Sequence, residues 1–220
     1  MNKRDISARL FPTPVRQFEL INYSARFKRE RSEFFAGVPV HRGRMALHEQ
    51  VAGLCADRPI TYLEFGVFQG ETFRKWLTLS AHEDSRFYGF DSFEGLPEDW
   101  EPDQPKGTFS TGGAAPQLTD PRGQFVVGLF QETLYPFLEG RAFGGQMVVH
   151  IDCDLYSSTL FVLANLDRHL TPGTLIIFDD FSSLQHEFAA WLDYRRSFGR
   201  SWRPIGLTEN GWQAAVQLEA

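Results

Sequence analysis

Short apolar runs alternate with stretches of helical period along most of the chain. ITYLEFGV, RFYGFDSF, QFVVGLF, QMVVHIDCD and TLIIFDDF are runs of strand length, rich in Val, Ile, Tyr and Phe. Between them, ETFRKWLTLSA, ETLYPFLEG, STLFVLANLDRHL and LQHEFAAWLDYRRSFG carry apolar positions at helical spacing. TPG stops the third of these helices, and Gly199 closes the fourth. WRPIGLTENGWQAAVQLE places two strand-like runs around an Asn-Gly turn, a hairpin signal. Strands with few polar interruptions, separated by helices, predict an α/β fold. Its sheet is doubly wound and mainly parallel, covered on both faces, with the C-terminal antiparallel hairpin at one edge.

The chain up to Asp57 has a different pattern. RQFELINYSARFKRERSEFF mixes aromatic and charged residues in a way compatible with an amphipathic helix, GVPVHRG breaks it, and RMALHEQVAGLCA resumes it. Residues 1–57 therefore read as a helical N-terminal arm or cap, and 58–220 as a single globular domain. Residues 96–123 lack a period and are rich in Pro, Gly and Thr. They read as a long, lid-like loop.

Composition narrows the classes. The chain has 220 residues, 42% of them hydrophobic and 23% charged, enough to bury a core. A net charge of −6 argues against nucleic acid as a partner. No apolar run reaches membrane-spanning length, so no membrane partner is expected. MNKRDISARLFPTP lacks the apolar core of a signal peptide. Cys55 and Cys153 match no disulfide framework or metal spacing, and a reducing, cytoplasmic location follows as the expectation.

In a doubly wound sheet, ligands bind beyond the carboxyl ends of the strands. The first strand ends in LEFGVFQG, with Glu64, Gly66 and Gly70. Glycines there let a turn approach a ligand closely, or simply make a tight strand-to-helix turn. Asp91 ends the second strand, where an acid accepts hydrogen bonds from a ribose diol or caps the next element. The turn is not G-x-G-x-x-G, so the pair suggests a nucleoside without a pyrophosphate. Asp152 and Asp154 end the fourth strand, and Asp179 and Asp180 the fifth. Parallel neighbours would bring these carboxylates together, an arrangement stable around a hard cation such as Mg²⁺. The competing reading has one acid capping a helix and the others facing water. Adjacent aspartates on a strand point to opposite faces, so a shared site needs the backbone to turn at Asp180. His150 shares a strand face with Asp152 and reads chiefly as a packed histidine. His186 lies early in the last long helix, within possible reach of the Asp179–Asp180 strand end. Cys153 has no identifiable activating base.

These segments resemble class I S-adenosylmethionine-dependent methyltransferases. More narrowly, they resemble the macrocin O-methyltransferase family, which methylates sugar hydroxyls of macrolides and related natural products. The resemblance is carried by LEFGVFQGETF, GFDSFEGLPE, KGTFS, VVGLFQETL, HIDCDLYSSTLFVLANL and LTPGTLIIFDDF. It implies a Rossmann-like fold. Glu64, Gly66 and Gly70 would shape the methionine end of the cofactor pocket, Asp91 would hold the ribose, and Ser92 and Phe93 would lie near the adenine. Asp152, Asp179 and Asp180 would bind Mg²⁺, and Asp152 would take the acceptor's proton. The lysine that catechol-type relatives place three residues after Asp152 is Leu155 here. The resemblance implies a small-molecule or glycan acceptor and a homodimer built on the N-terminal arm. A metal-independent methyltransferase and a non-catalytic S-adenosylmethionine-binding module are the alternatives.

Overall fold

The computed structural model describes residues 12–101 and 103–220, so the first residues of the expected arm lie outside the described residues. Helix α1 (Pro12–Arg29) continues into a π turn (Glu30–Phe34). Strand β1 (Val40–His41) and helix α2 (Arg44–Cys55) follow. Then come β2 (Ile60–Phe65), α3 (Glu71–Leu79), β3 (Arg86–Asp91), β4 (Gly123–Val127), α4 (Phe130–Leu138), β5 (Gln146–Ile151), α5 (Tyr156–Leu166) and β6 (Leu175–Phe178). Helix α6 (Glu187–Phe198) and the strands β7 (Trp202–Thr208) and β8 (Ala214–Leu218) close the chain.

The strands form one eight-stranded sheet in the order β1-β7-β8-β6-β5-β2-β3-β4. β8 runs antiparallel to both β6 and β7, and every other pairing is parallel. Mostly parallel pairing with a C-terminal antiparallel hairpin is the architecture the sequence pattern predicts, but the hairpin is not the edge: the short β1, too brief to show in the pattern, pairs outside β7.

Strand alternation sends neighbouring side chains into two different cores. Leu63 and Phe65 of β2, Val149 and Ile151 of β5, and Ile176 and Phe178 of β6 face α4, α5 and α6. Ile60 and Tyr62, Val148, and Leu175 and Ile177 face the opposite side, under α2 and α3. Helix α3 buries Phe73, Trp76 and Leu77 on one stripe, and α6 buries Phe188, Trp191 and Tyr194. Because both faces are covered, the strand edges where the chain leaves the sheet are the natural places for a ligand. The arm is drawn into this body: α2 lays Leu47, Val51 and Cys55 on the sheet, and β1 pairs with β7. Among the described residues, no helix is long and apolar enough to cross a membrane.

Candidate active site

A cavity of about 310 Å³ opens beyond the carboxyl ends of β2 to β6. The sheet order reverses there: the chain moves from β2 outward to β3 and β4, then returns to the other side of β2 at β5. Such a switch point leaves a crevice between diverging connections. Gly66 and Phe68 line it after β2, Asp91 and Ser92 after β3, and residues 128–131 after β4. Asp152, Cys153 and Asp154 line it after β5, and Asp179 and Asp180 after β6.

The β2 turn is built around Gly66. Its φ is +91°, and a Cβ there would sit 1.7 Å from the Asp152 carbonyl oxygen. Only glycine lets β2 and β5 end this close together. Asp91 fixes the same turn: its Oδ2 accepts the N–H groups of Val67 and Phe68, both at 2.8 Å. Its Oδ1 accepts the Phe93 N–H at 2.7 Å. Three of about four acceptor positions on a carboxylate are thus used, leaving room for one ligand hydroxyl. Ser92 also lines the cavity, and its hydroxyl accepts the Glu94 N–H at 3.2 Å.

Glu64, Gly70 and Phe93 stand back from the wall. Alternation along β2 turns Glu64 under α2 and α3, where it is 1% exposed and accepts the Tyr62 hydroxyl. Gly70, in the left-handed region at φ +74°, starts α3. Phe93 is buried against Phe125, with ring centroids 5.7 Å apart. Phe130 and Gln131 are lining residues the sequence reading missed, although VVGLFQETL carried them.

The other end of the cavity is acidic. Carboxylate oxygens of Asp152, Asp154 and Asp180 lie within 4.8 Å of one another. A left-handed Asp154, φ +59°, turns its carboxyl toward Asp180. Strand β6 ends at Phe178, so the backbone leaves strand geometry where Asp179 and Asp180 must both reach the cavity. Asp179 sits nearer the histidines. Its Oδ1 is 3.8 Å from His150 Nε2, and its Oδ2 is 3.5 Å from Arg44 Nη1. Behind Asp180 lies Glu187, fully buried, whose Oε2 accepts the Asp180 N–H at 3.0 Å.

Burial and mutual repulsion set the titration of these groups. Burial, then Asp179, pushes Asp152 well above the carboxylate range. Burial and the charges of Asp180 and Asp152 raise Asp154 to about 9. Burial and Asp179 raise Asp180 to about 6. Burial also drives Glu187 well up, followed by Asp180. Asp179 is the exception. Burial opposes its charge, but His150 and Arg44 hold it below the usual range. Burial opposes the charge of His150 too, but Asp179 and Glu64 lift it to about 10.

Among the described residues, the buried oxygens Asp179 Oδ1 and Glu187 Oε1 have no hydrogen-bond partner. An all-oxygen donor set with unpartnered acceptors and raised carboxyl pKa values fits a hard divalent cation. His48, His150 and Asp179 also converge within 4.8 Å. Trp76 Nε1–H donates to His48 Nδ1 at 2.8 Å, so the single proton of neutral His48 sits on Nε2. A protonated Nε2 cannot ligate a metal, so this trio is a polar support beneath Asp179. Cys153 is buried and its thiol is pushed well up, chiefly by burial, so it is not a nucleophile.

The loop expected to be lid-like forms one wall, with Gly95, Leu96, Pro97, Trp100 and Phe109 on the cavity. It folds back on itself through Leu96 N–H to Thr108 O and Gly107 N–H to Leu96 O, both 2.9 Å. It is tied to the segment just after β3 by Gly113 N–H to Phe93 O at 2.8 Å.

The sequence profile of the Macrocin-O-methyltransferase (TylF) family matches residues 35–201. The 8-demethyl-8-(2,3-dimethoxy-alpha-L-rhamnosyl)-tetracenomycin-C 4'-O-methyltransferase of Streptomyces olivaceus is 32% identical over 167 residues. That alignment covers 65% of this chain and 60% of the relative's length. The O-methyltransferase NovP superposes with a TM-score of 0.61 at 19% identity, covering 90% of this chain and all of that one. The calicheamicin methyltransferase CalS11 gives 0.60 at 22% identity, covering 90% and 91%. At these identities the two structures speak to the fold.

Proposed function

The chain belongs to the macrocin O-methyltransferase family, and on that premise we propose that it transfers the methyl group of S-adenosylmethionine to a sugar hydroxyl of a glycosylated natural product or glycan. The observation that carries this reading is a single cavity holding both the Gly66–Asp91 turn and four carboxylates. The first suits a nucleoside cosubstrate, and the second suits activation of an alcohol beside it. The relative's name places its own reaction on a rhamnosyl group, which makes a methyl rhamnoside a sensible first acceptor.

Each residue then has a task. Gly66 lets the cosubstrate lie against the strand ends, and the remaining acceptor position of Asp91 takes one ribose hydroxyl. Ser92 and residues 128–131 enclose the nucleoside end. The acceptor oxygen attacks the methyl carbon, the carbon–sulfur bond breaks, and S-adenosylhomocysteine leaves. The electrophile is already activated on sulfonium, so the protein's work is alignment and deprotonation. Asp152, in its ionised form, takes the hydroxyl proton; burial and Asp179 oppose that ionisation, so the base form would need a compensating positive charge beside it. Asp152, Asp154, Asp179 and Asp180 are the residues that would hold Mg²⁺. When bound, the cation would offset their charge and acidify the acceptor hydroxyl. A metal-independent reaction is favoured by one observation: Arg44 and His150 already balance Asp179. A cytoplasmic location belongs to the same proposal.

Labelled S-adenosylmethionine incubated with methyl rhamnoside, with and without Mg²⁺ or a chelator, tests both readings. Transfer that needs Mg²⁺ and falls at least about a hundredfold in Asp152→Asn is expected. Transfer indifferent to chelator removes the metal. Absence of S-adenosylhomocysteine binding sinks the proposal.

A further inference from the structure

A second cavity, of about 390 Å³, lies beside the first and shares Trp100 with it. One wall is formed by Trp100, Glu101, Asp103 and Gln104. Another is the segment from Ser182 to Gln185, directly after the acidic pair. Trp212, on the turn between β7 and β8, completes it. The walls are tied by backbone bonds. Trp100 N–H donates to Gln104 O at 3.0 Å, and Phe181 N–H to Trp212 O at 2.5 Å. Trp212 N–H donates to Asn210 Oδ1 at 3.1 Å. Yet Trp212 leaves 43% of its surface open.

Two indoles border this cavity together with Leu20 and Leu184, and the rest of its lining is polar, Glu101, Gln104, Ser183 and Gln185 among it, a combination that matches a particular chemistry. An aromatic face is electron-rich and covers polarised C–H groups well. A sugar ring presents such C–H groups on its face and hydroxyls around its rim. Carboxylate, amide and hydroxyl side chains are the partners those hydroxyls need. Among the described residues, no basic side chain lines this cavity, and Arg44 alone lines the first. A diphosphate there would face Glu101 and Asp103 with no counter-charge, a repulsion that selects against it.

We propose that the second cavity is a subsite for a neutral sugar unit adjacent to the one methylated. The preferred acceptor is therefore a neutral oligosaccharide or multiply glycosylated product, not a nucleotide sugar. This rests on the methyl-transfer reading of the first cavity.

The test uses methyl rhamnoside, a neutral methyl dirhamnoside and a nucleoside-diphosphate rhamnose, each with S-adenosylhomocysteine present. The indole N–H signal of Trp212 is followed by NMR and assigned with Trp212→Phe. The dirhamnoside is expected to shift this signal and the monosaccharide to leave it in place. In turnover, Trp212→Ala should raise KM for the dirhamnoside about tenfold, and change kcat/KM for the monosaccharide less than about twofold. A Trp212 signal unmoved by the dirhamnoside overturns the proposal. So does a nucleotide sugar as the best acceptor, or an equal loss toward both glycosides. A dirhamnoside that binds at Trp212 but is never methylated supports the sugar subsite and overturns the reading of the first cavity.

Discussion

At the scale of single residues, contact geometry separates positions that look alike in sequence. Gly66 and Gly112 both have a positive φ, +91° and +71°, but only Gly66 meets backbone where a Cβ would go. Gly112→Ala should cost about 1 kcal/mol, the left-handed penalty alone. Gly66→Ala should cost about 3 kcal/mol or more, because β2 must move away from Asp152. Urea unfolding of the two variants checks this, and equal losses would show that the close approach is not rigid. Asp91 was legible as a strand-end acid, but not as the anchor of the turn before it, since that role needs the Val67, Phe68 and Phe93 N–H groups to converge. Asp152, Asp179 and Asp180 were legible as strand ends. Asp154 was legible as a member of the same converging group, but the way it meets Asp180 was not, because that depends on one left-handed backbone position. His48 and Glu187 gave no local signal. They reach the site from helices whose docking a sequence pattern does not specify.

At the scale of elements, the apolar runs announced β2 to β6 and the hairpin because buried strands leave few polar interruptions. Strand β1 was hidden. Val40–His41 is two residues long, and its pairing with β7 closes a very distant contact. The attachment of α1 illustrates which forces hold an element. Phe27 packs edge-on against Phe188 at 5.2 Å and near Phe181 at 6.1 Å. Glu30 pairs with Arg195 at 2.8 Å, the two side chains 15% and 28% exposed. A partly solvated ion pair contributes about 1 kcal/mol or less, whereas emptying an aromatic contact costs about 3 kcal/mol. Phe27→Ala should therefore lower the melting temperature several-fold more than Glu30→Gln, measured by calorimetry. The reverse order would make the ion pair the main tie between α1 and α6.

For the whole molecule, the acidic balance becomes a pH dependence with a definite sign. The native protein holds protons on Asp154 up to about 9 and on Asp180 up to about 6, with Asp152 and Glu187 also raised. The unfolded chain releases those protons near pH 4. Between these limits the native state binds more protons, so stability falls as pH rises. His150 acts in the same direction. Its raised value, about 10, means its contribution is complete below the unfolded histidine pKa and is lost as pH rises from there through about 10. Asp179 and Asp120, held low by their cationic partners, and His48, kept neutral by burial, act the other way and contribute stability that is lost on acidification. The metal-free protein should thus melt more than about 5 °C lower at about pH 8.5 than at about pH 5.5. On the proposed Mg²⁺ reading a divalent cation would displace the same protons, so the stabilisation by Mg²⁺ should grow over the same interval. Melting curves with Mg²⁺ or a chelator across this range provide the measurement. Asp154→Asn, which cannot ionise, should flatten both trends. A Mg²⁺ shift that is constant with pH, or a metal-free melting temperature that climbs with pH, would show that these carboxylates do not share the cation and the protons as their placement requires.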